Sequence, residues 1–137
     1  FNMTIDEAQA SQPKGHLLLR TVAMPADTNP NGDIFGGWIM AQMDISGGIM
    51  AKELAQGRVA TIAVNAMKFI RPVKVGDVVA CYGTLINTGN TSLTIHLQTW
   101  VKPAWRAPES GLFQVTEADF VYVAIDEQGN KRALNPQ

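Results

Sequence analysis

The 137-residue sequence predicts an α+β fold, a largely antiparallel sheet wrapped around one long central helix. Three observations carry this. Residues 36–54 are rich in Ala, Met, Leu and Ile and are apolar on most sides, the pattern of a buried helix. After Arg58 the pattern changes to β-branched runs separated by turn residues. Hydrophobic residues make up 46% and charged residues 17%, which excludes a disordered chain and leaves material for one domain with a real core.

Each element has its own signal. Residues 1–15 are polar, with Ser11, Gln12, Pro13 and Gly15, and read as a flexible N-terminal arm before a domain spanning 16–137. Leu17 to Ala23 reads as a first strand. Pro25 to Gly32 is dense in turn formers and reads as a loop. The helix follows from Gly36 to Leu54, with Gly57 just past its end as a terminator. Val59 to Ile70, closed by Pro72, reads as a long strand, and Asp77 to Asn87 as another. Thr88-Gly89-Asn90 suits a hairpin turn. Thr91 to Lys102 alternates cleanly, with Leu93, Ile95, Leu97, Thr99 and Val101 on one face. Residues 103–112 read as a loop, Phe113 to Ile125 as the last strand, and Glu127 to Asn130 as a turn. A single helix that is apolar nearly all round must be wrapped by this sheet or capped by a partner.

Composition narrows the function. A net charge of −1 gives no electrostatic support for nucleic-acid binding. The lone Cys81 cannot form an internal disulfide, which fits a reducing cytoplasm. His16, His96 and Cys81 are too few for a zinc cluster. No apolar run of about 18 residues is present, so no membrane span is expected. The opening Phe1-Asn2-Met3-Thr4 lacks the basic and apolar regions of a targeting segment.

The chemistry centres on Asp44. It lies mid-helix between Met43 and Ile45, with no Lys or Arg three or four residues away. An unpaired buried charge costs several kcal/mol at the order of magnitude, so something must hydrate or pair it, or its protonation must shift. Either outcome makes it a candidate general base. The plainer alternative is that Asp44 or Ser46 caps a second helix after a break at Ile45. The neighbouring Gly47-Gly48 pair costs roughly 1 kcal/mol per glycine in a helix and is tolerated where a backbone or ligand comes close. Tight packing on the sheet explains it equally well. A second feature is Asn31-Gly32-Asp33-Ile34-Phe35-Gly36-Gly37-Trp38, where a loop enters the helix. Free N–H groups and the positive dipole end suit a developing oxyanion there. The alternative is an ordinary helix start capped by Asp33. Gly37 and Asp44 are seven residues apart, so they share a side but lie about 10 Å apart along the axis. An antiparallel pair of helices across a two-fold axis would bring Gly37 of one chain near Asp44 of the other, so a composite site at a dimer interface is expected.

Other chemistries fit less well. Met43-Asp44-Ile45-Ser46-Gly47 does not match G-x-S-x-G, and Ser46 has no adjacent His. His16 and His96 read as surface residues, and Cys81 as a buried thiol. No phosphate-binding glycine motif is present.

The run from Ala23 to Trp38 (AMPADTNPNGDIFGGW), followed by Met43-Asp44, resembles the hotdog-fold acyl-coenzyme A thioesterases of the YciA type. So do Phe69 to Val79 (FIRPVKVGDVV) and Val101-Lys102, and the resemblance spans residues 16 to about 134. It implies a sheet wrapped around one helix, dimers with a continuous sheet, and a hexamer. It implies a catalytic carboxylate at Asp44 and an oxyanion amide on the Phe35-Gly36-Gly37 turn. A companion position, Asn in some relatives, falls on Asp33 with Asn31 close by. The His that dehydratases of this fold carry before the helix is absent. The implied reaction is hydrolysis of acyl-CoA. Asp44 takes a proton from the attacking water, or itself attacks to form an anhydride. Coenzyme A belongs to substrate and product, and no separate cofactor is expected. Its phosphates call for Arg58, Arg71, Lys74 or Lys102, with Thr91 and Ser92 offering hydroxyls, unless these are simply solvated surface groups. Trp38, Met40 and Met43 could line the acyl chain or belong to the core. Two other readings compete: a non-catalytic acyl-CoA binding module, and a thioesterase for acyl carrier protein or an aromatic acyl-CoA.

Overall fold

The computed structural model describes residues 12–103 and 111–134. In chain order these form β1 (His16–Val22), a short 3-10 turn (Pro25–Asp27), α1 (Gly36–Ala55), β2 (Val59–Phe69), β3 (Val78–Thr88), β4 (Ser92–Lys102) and β5 (Phe113–Ala124). The sheet order is β1-β3-β4-β5-β2, and every neighbouring pair is antiparallel. This is the α+β arrangement read from the sequence. Residues 104–110 of the expected 103–112 loop lie outside the described residues, as do residues 1–11 of the arm. The arm's last residues touch the sheet: the Lys14 N–H donates to Gln98 Oε1 at 3.0 Å. At Gly15, which has φ +100°, a Cβ would stand 2.3 Å from the Gly83 carbonyl oxygen.

Alternation builds the core. Leu93, Ile95, Leu97, Thr99 and Val101 of β4 are buried, as their spacing predicts. On β5, Ala118, Phe120 and Tyr122 stand opposite Leu97, Ile95 and Leu93. From the helix, Ile39, Met43, Ser46, Gly47, Ala51 and Ala55 bury against this surface. Their 3.6-residue spacing defines one stripe. The sheet covers that stripe and no more. Met40, Ile45, Ile49 and Leu54 stay exposed on α1, with Ile49 and Leu54 near His16 and Leu17 of β1, and Ile62 and Phe69 are exposed on β2.

Both helix ends differ from expectation. Asp33 does not cap α1. The cap position is Phe35, with no side-chain hydrogen bond, while the Asp33 carboxylate pairs with Lys74 instead. Asn29 organises the loop: its Oδ1 accepts the N–H groups of Asn31 and Asp33 at 2.9 and 3.1 Å. At the other end the left-handed residue is Gln56 (φ 55°), not Gly57. Gly57 serves a different need. A Cβ there would sit 2.6 Å from Arg132 Nη2, and that guanidinium donates to the Ala55 carbonyl at 2.9 Å. The Arg71-Pro72-Val73-Lys74-Val75-Gly76-Asp77 stretch forms a tight turn. Buried Asp77 accepts the Lys74 N–H at 3.0 Å, and Gly76 has φ +90°.

Candidate active site

The helix runs unbroken through Ile45, so neither Asp44 nor Ser46 caps a second helix. Ser46 turns inward and donates to the Gln42 carbonyl at 2.7 Å. Asp44 is half-buried and acquires two neutral donors from the far edge of the sheet. Thr61 Oγ1 donates to Asp44 Oδ1 at 2.6 Å, and the Tyr122 hydroxyl lies 3.1 Å from the same oxygen. Thr61 and Tyr122 are direct partners in the β2–β5 ladder, which is why they arrive together. Burial, and after it the Asp44 charge and hydrogen bond, pushes the Tyr122 phenol well above its ordinary 10.0. It therefore stays a neutral donor. Gly47 accommodates it, because a Cβ there would stand 2.2 Å from the Tyr122 hydroxyl. Packing thus accounts for Gly47. Among the described residues outside its own stretch of helix, nothing lies within 4 Å of where a Gly48 Cβ would be.

Asp44 and Gly37 line one open cavity of about 390 Å³. Thr61 adds a hydroxyl, and Met40, Ala41, Val64 and Phe120 form an apolar wall. Gly36 and Gly37 are the first residues of α1, where N–H groups have no intrahelical acceptor. Gly37 is exposed, and among the described residues nothing outside its own stretch of helix lies within 4 Å of where its Cβ would be. At this position no side chain stands between the helix start and the cavity. Trp38 packs at the core edge and Met43 is fully buried, so of the three apolar candidates Met40 faces the cavity.

The remaining candidates separate into groups. Asp33, Gly36 and Arg71 line a second cavity of about 310 Å³ with Asn29 and Phe69, and the Arg71 guanidinium lies 5.0 Å above the Phe113 ring. Lys74 is at the same end, paired with Asp33. Asn31 is exposed on the loop. Arg58 is at the opposite end of the helix, donating to the Asp126 and Glu127 carbonyls at 3.2 and 2.9 Å. Thr91 and Ser92 abut the same stretch of chain, where Thr91 accepts the Ala124 N–H and Ser92 pairs with Val123. Lys102 lies apart, opposite Val78 in the sheet. Within one chain the six expected coenzyme-binding residues therefore do not converge.

Sequence reasoning missed Thr61, Tyr122 and Asn29. Asn29 carried a local signal, an Asn-Pro-Asn-Gly turn. Thr61 and Tyr122 are 17 and 78 residues from Asp44, and only the strand register joins them to it. His96 is not a plain surface residue: its Nδ1 lies 2.7 Å from Asp119 and its Nε2 3.3 Å from Glu117. Cys81 is buried as expected, and burial raises its thiol above the ordinary 9.0.

The family model described as "Thioesterase superfamily" matches residues 31–103. The chain belongs to the thioesterase superfamily. Among curated relatives of this thioesterase, acyl-CoA thioester hydrolase YciA of Escherichia coli K12 is 57% identical over 122 residues, 89% of this chain and 92% of the relative. Among solved structures, a mutant of a hexameric broad-specificity acyl-coenzyme A thioesterase superposes with TM-score 0.87. It is 52% identical and covers 90% of this chain and 89% of its own. A hexameric hotdog-fold thioesterase of Campylobacter jejuni gives TM-score 0.80 at 40% identity, covering 88% of this chain and 91% of its own. The thioesterase therefore has the hotdog fold, with α1 as its helix. Among the described residues no helix is long and apolar enough to cross a membrane.

Proposed function

We propose that the protein hydrolyses acyl-CoA thioesters to coenzyme A and a carboxylic acid. The observation that carries the proposal is Asp44 itself: a carboxylate with no cationic partner among the described residues, held by two neutral donors, on the wall of an apolar cavity that Gly37 also lines. Such a carboxylate stays available as a base, since no fixed positive charge competes for it. Water gives a proton to Asp44 as its oxygen bonds to the thioester carbon. The carbonyl becomes an oxyanion, and a Gly37 N–H with the helix dipole stabilises it. The tetrahedral intermediate then expels coenzyme A by breaking the C–S bond, and the departing thiolate takes up the proton. The chain, water and substrate suffice for these steps.

The relatives' hexameric assembly supports an oligomer here, with a two-fold dimer as the minimal unit. Exposed Met40 lines the cavity, and β2, which supplies Thr61 and Val64 to it, is an 11-residue strand at the edge of the sheet among the described residues. Antiparallel packing of a second copy there would bring the Gly37 amide of one protomer to the Asp44 carboxylate of the other. It would also bring the Arg58 end of one chain toward the Arg71 and Lys74 end of the other, giving the coenzyme's phosphates the basic groups that one chain keeps apart. The single buried thiol fits work in a reducing cytoplasm.

The test is thiol release from a panel of acyl-CoAs, C2 to C16, by the wild type and Asp44→Ala. Wild-type turnover and a fall of kcat by about 10³-fold or more in the variant are expected, with fold and assembly intact. Normal turnover by Asp44→Ala would remove the assignment. Binding of acyl-CoA without thiol release would mark a binding module instead.

A further inference from the structure

We propose that Tyr122 is a positioning residue for the base, clamping Asp44 Oδ1 so that Oδ2 is the oxygen that receives the proton from water. The inference rests on the thioesterase reading above and assigns roles within that site. Three observations support it. The Tyr122 hydroxyl is 3.1 Å from Asp44 Oδ1 and also 3.1 Å from the Asp44 carbonyl oxygen, so it braces the side chain against its own backbone. A helical Asp side chain otherwise exchanges among staggered rotamers. Thr61 reaches that same Oδ1 from β2, and among the described residues no donor reaches Oδ2. The two carboxylate oxygens are thereby made unequal, one held by protein and one left for water.

The phenol is closely packed on both sides. Tyr122 is 1% exposed, and its ring stacks on Phe120 with centroids 6.4 Å apart. The helix gives up a Cβ at Gly47, where any side chain would strike the phenol. A buried tyrosine needs a partner for its hydroxyl, and here the reacting carboxylate shares that role with the Asp44 carbonyl. Holding a base in its productive rotamer lowers the barrier without tightening substrate binding.

The test is Tyr122→Phe, which keeps the ring and removes the donor. The expected result is a 10- to 100-fold fall in kcat, the range for a lost hydrogen bond to a charged group, with KM within about twofold. In an Asp44→Asn background the same change should leave the residual rate within about twofold, because Tyr122 acts through the carboxylate. Tyr122→Met, a second side chain without a donor, should repeat the kcat loss. A wild-type kcat in Tyr122→Phe overturns the inference, and so does an equal fractional loss with and without Asp44. These outcomes are separate from failure of the thioesterase reading, which would appear as no thiol release by the wild type.

Discussion

Asp44 gains from Thr61 and Tyr122 what a half-buried carboxylate loses in hydration, and gains it without a cation. On the proposed mechanism that choice sets the chemistry. An Arg or Lys at 3 Å would hold the charge more firmly and weaken it as a base. Neutral donors hold one oxygen, and among the described residues no donor reaches the other. Thr61 therefore matters by its hydroxyl, not its shape. Thr61→Val should lower kcat by roughly tenfold with KM little changed, and Thr61→Ser should restore most of the loss, as steady-state thiol-release kinetics would register. Equal rates for Val and Ser variants would show that the 2.6 Å bond carries no catalytic weight. Asp44 stood out in the sequence as a candidate because a lone carboxylate inside an apolar helix is costly by itself. Its partners did not, because neither residue is unusual in a strand. Only the pairing of Thr61 with Tyr122 in the ladder, below a helix crossing that edge, gives them meaning.

At the scale of elements, periodicity predicted what local forces decide. The alternation of β4 and the apolar run of α1 were readable because burial imposes their periods. The helix ends were not readable, because long-range partners outcompeted local caps. Lys74 takes the Asp33 carboxylate that a cap would have used. At the C-terminus, Arg132 bonds the Ala55 carbonyl at 2.9 Å and the Ile125 carbonyl at 3.1 Å, tying the last turn of α1 to the chain beyond β5. A guanidinium on terminal carbonyls is favoured by the helix dipole as well. Arg132→Ala should destabilise the fold by about 1–2 kcal/mol, seen as a lower thermal midpoint, with kcat within twofold of wild type. An unchanged midpoint would mean that the end of α1 is held by other contacts.

At the scale of the whole molecule, one chain is incomplete in two respects. Among the described residues its helix is covered by the sheet on one side, and Met40, Ile45 and Ile49 are exposed, as is Ile62 on the edge strand β2. Its basic candidates for the coenzyme sit at opposite ends, with Arg58 near Asp126 and Arg71 beside Asn29. A second copy across a two-fold axis would remedy both, and would make each site from the amide of one protomer and the carboxylate of the other. Mixing two inactive variants tests this most directly. Asp44→Ala removes the base. Gly37→Pro removes the amide N–H in the first helical turn, where proline is tolerated. Co-refolded in equal amounts, the two variants should regain about a quarter of the wild-type rate, because half of the dimers are mixed and each mixed dimer has one intact site. A mixture as inactive as its parents would place base and amide in the same chain and contradict the shared site.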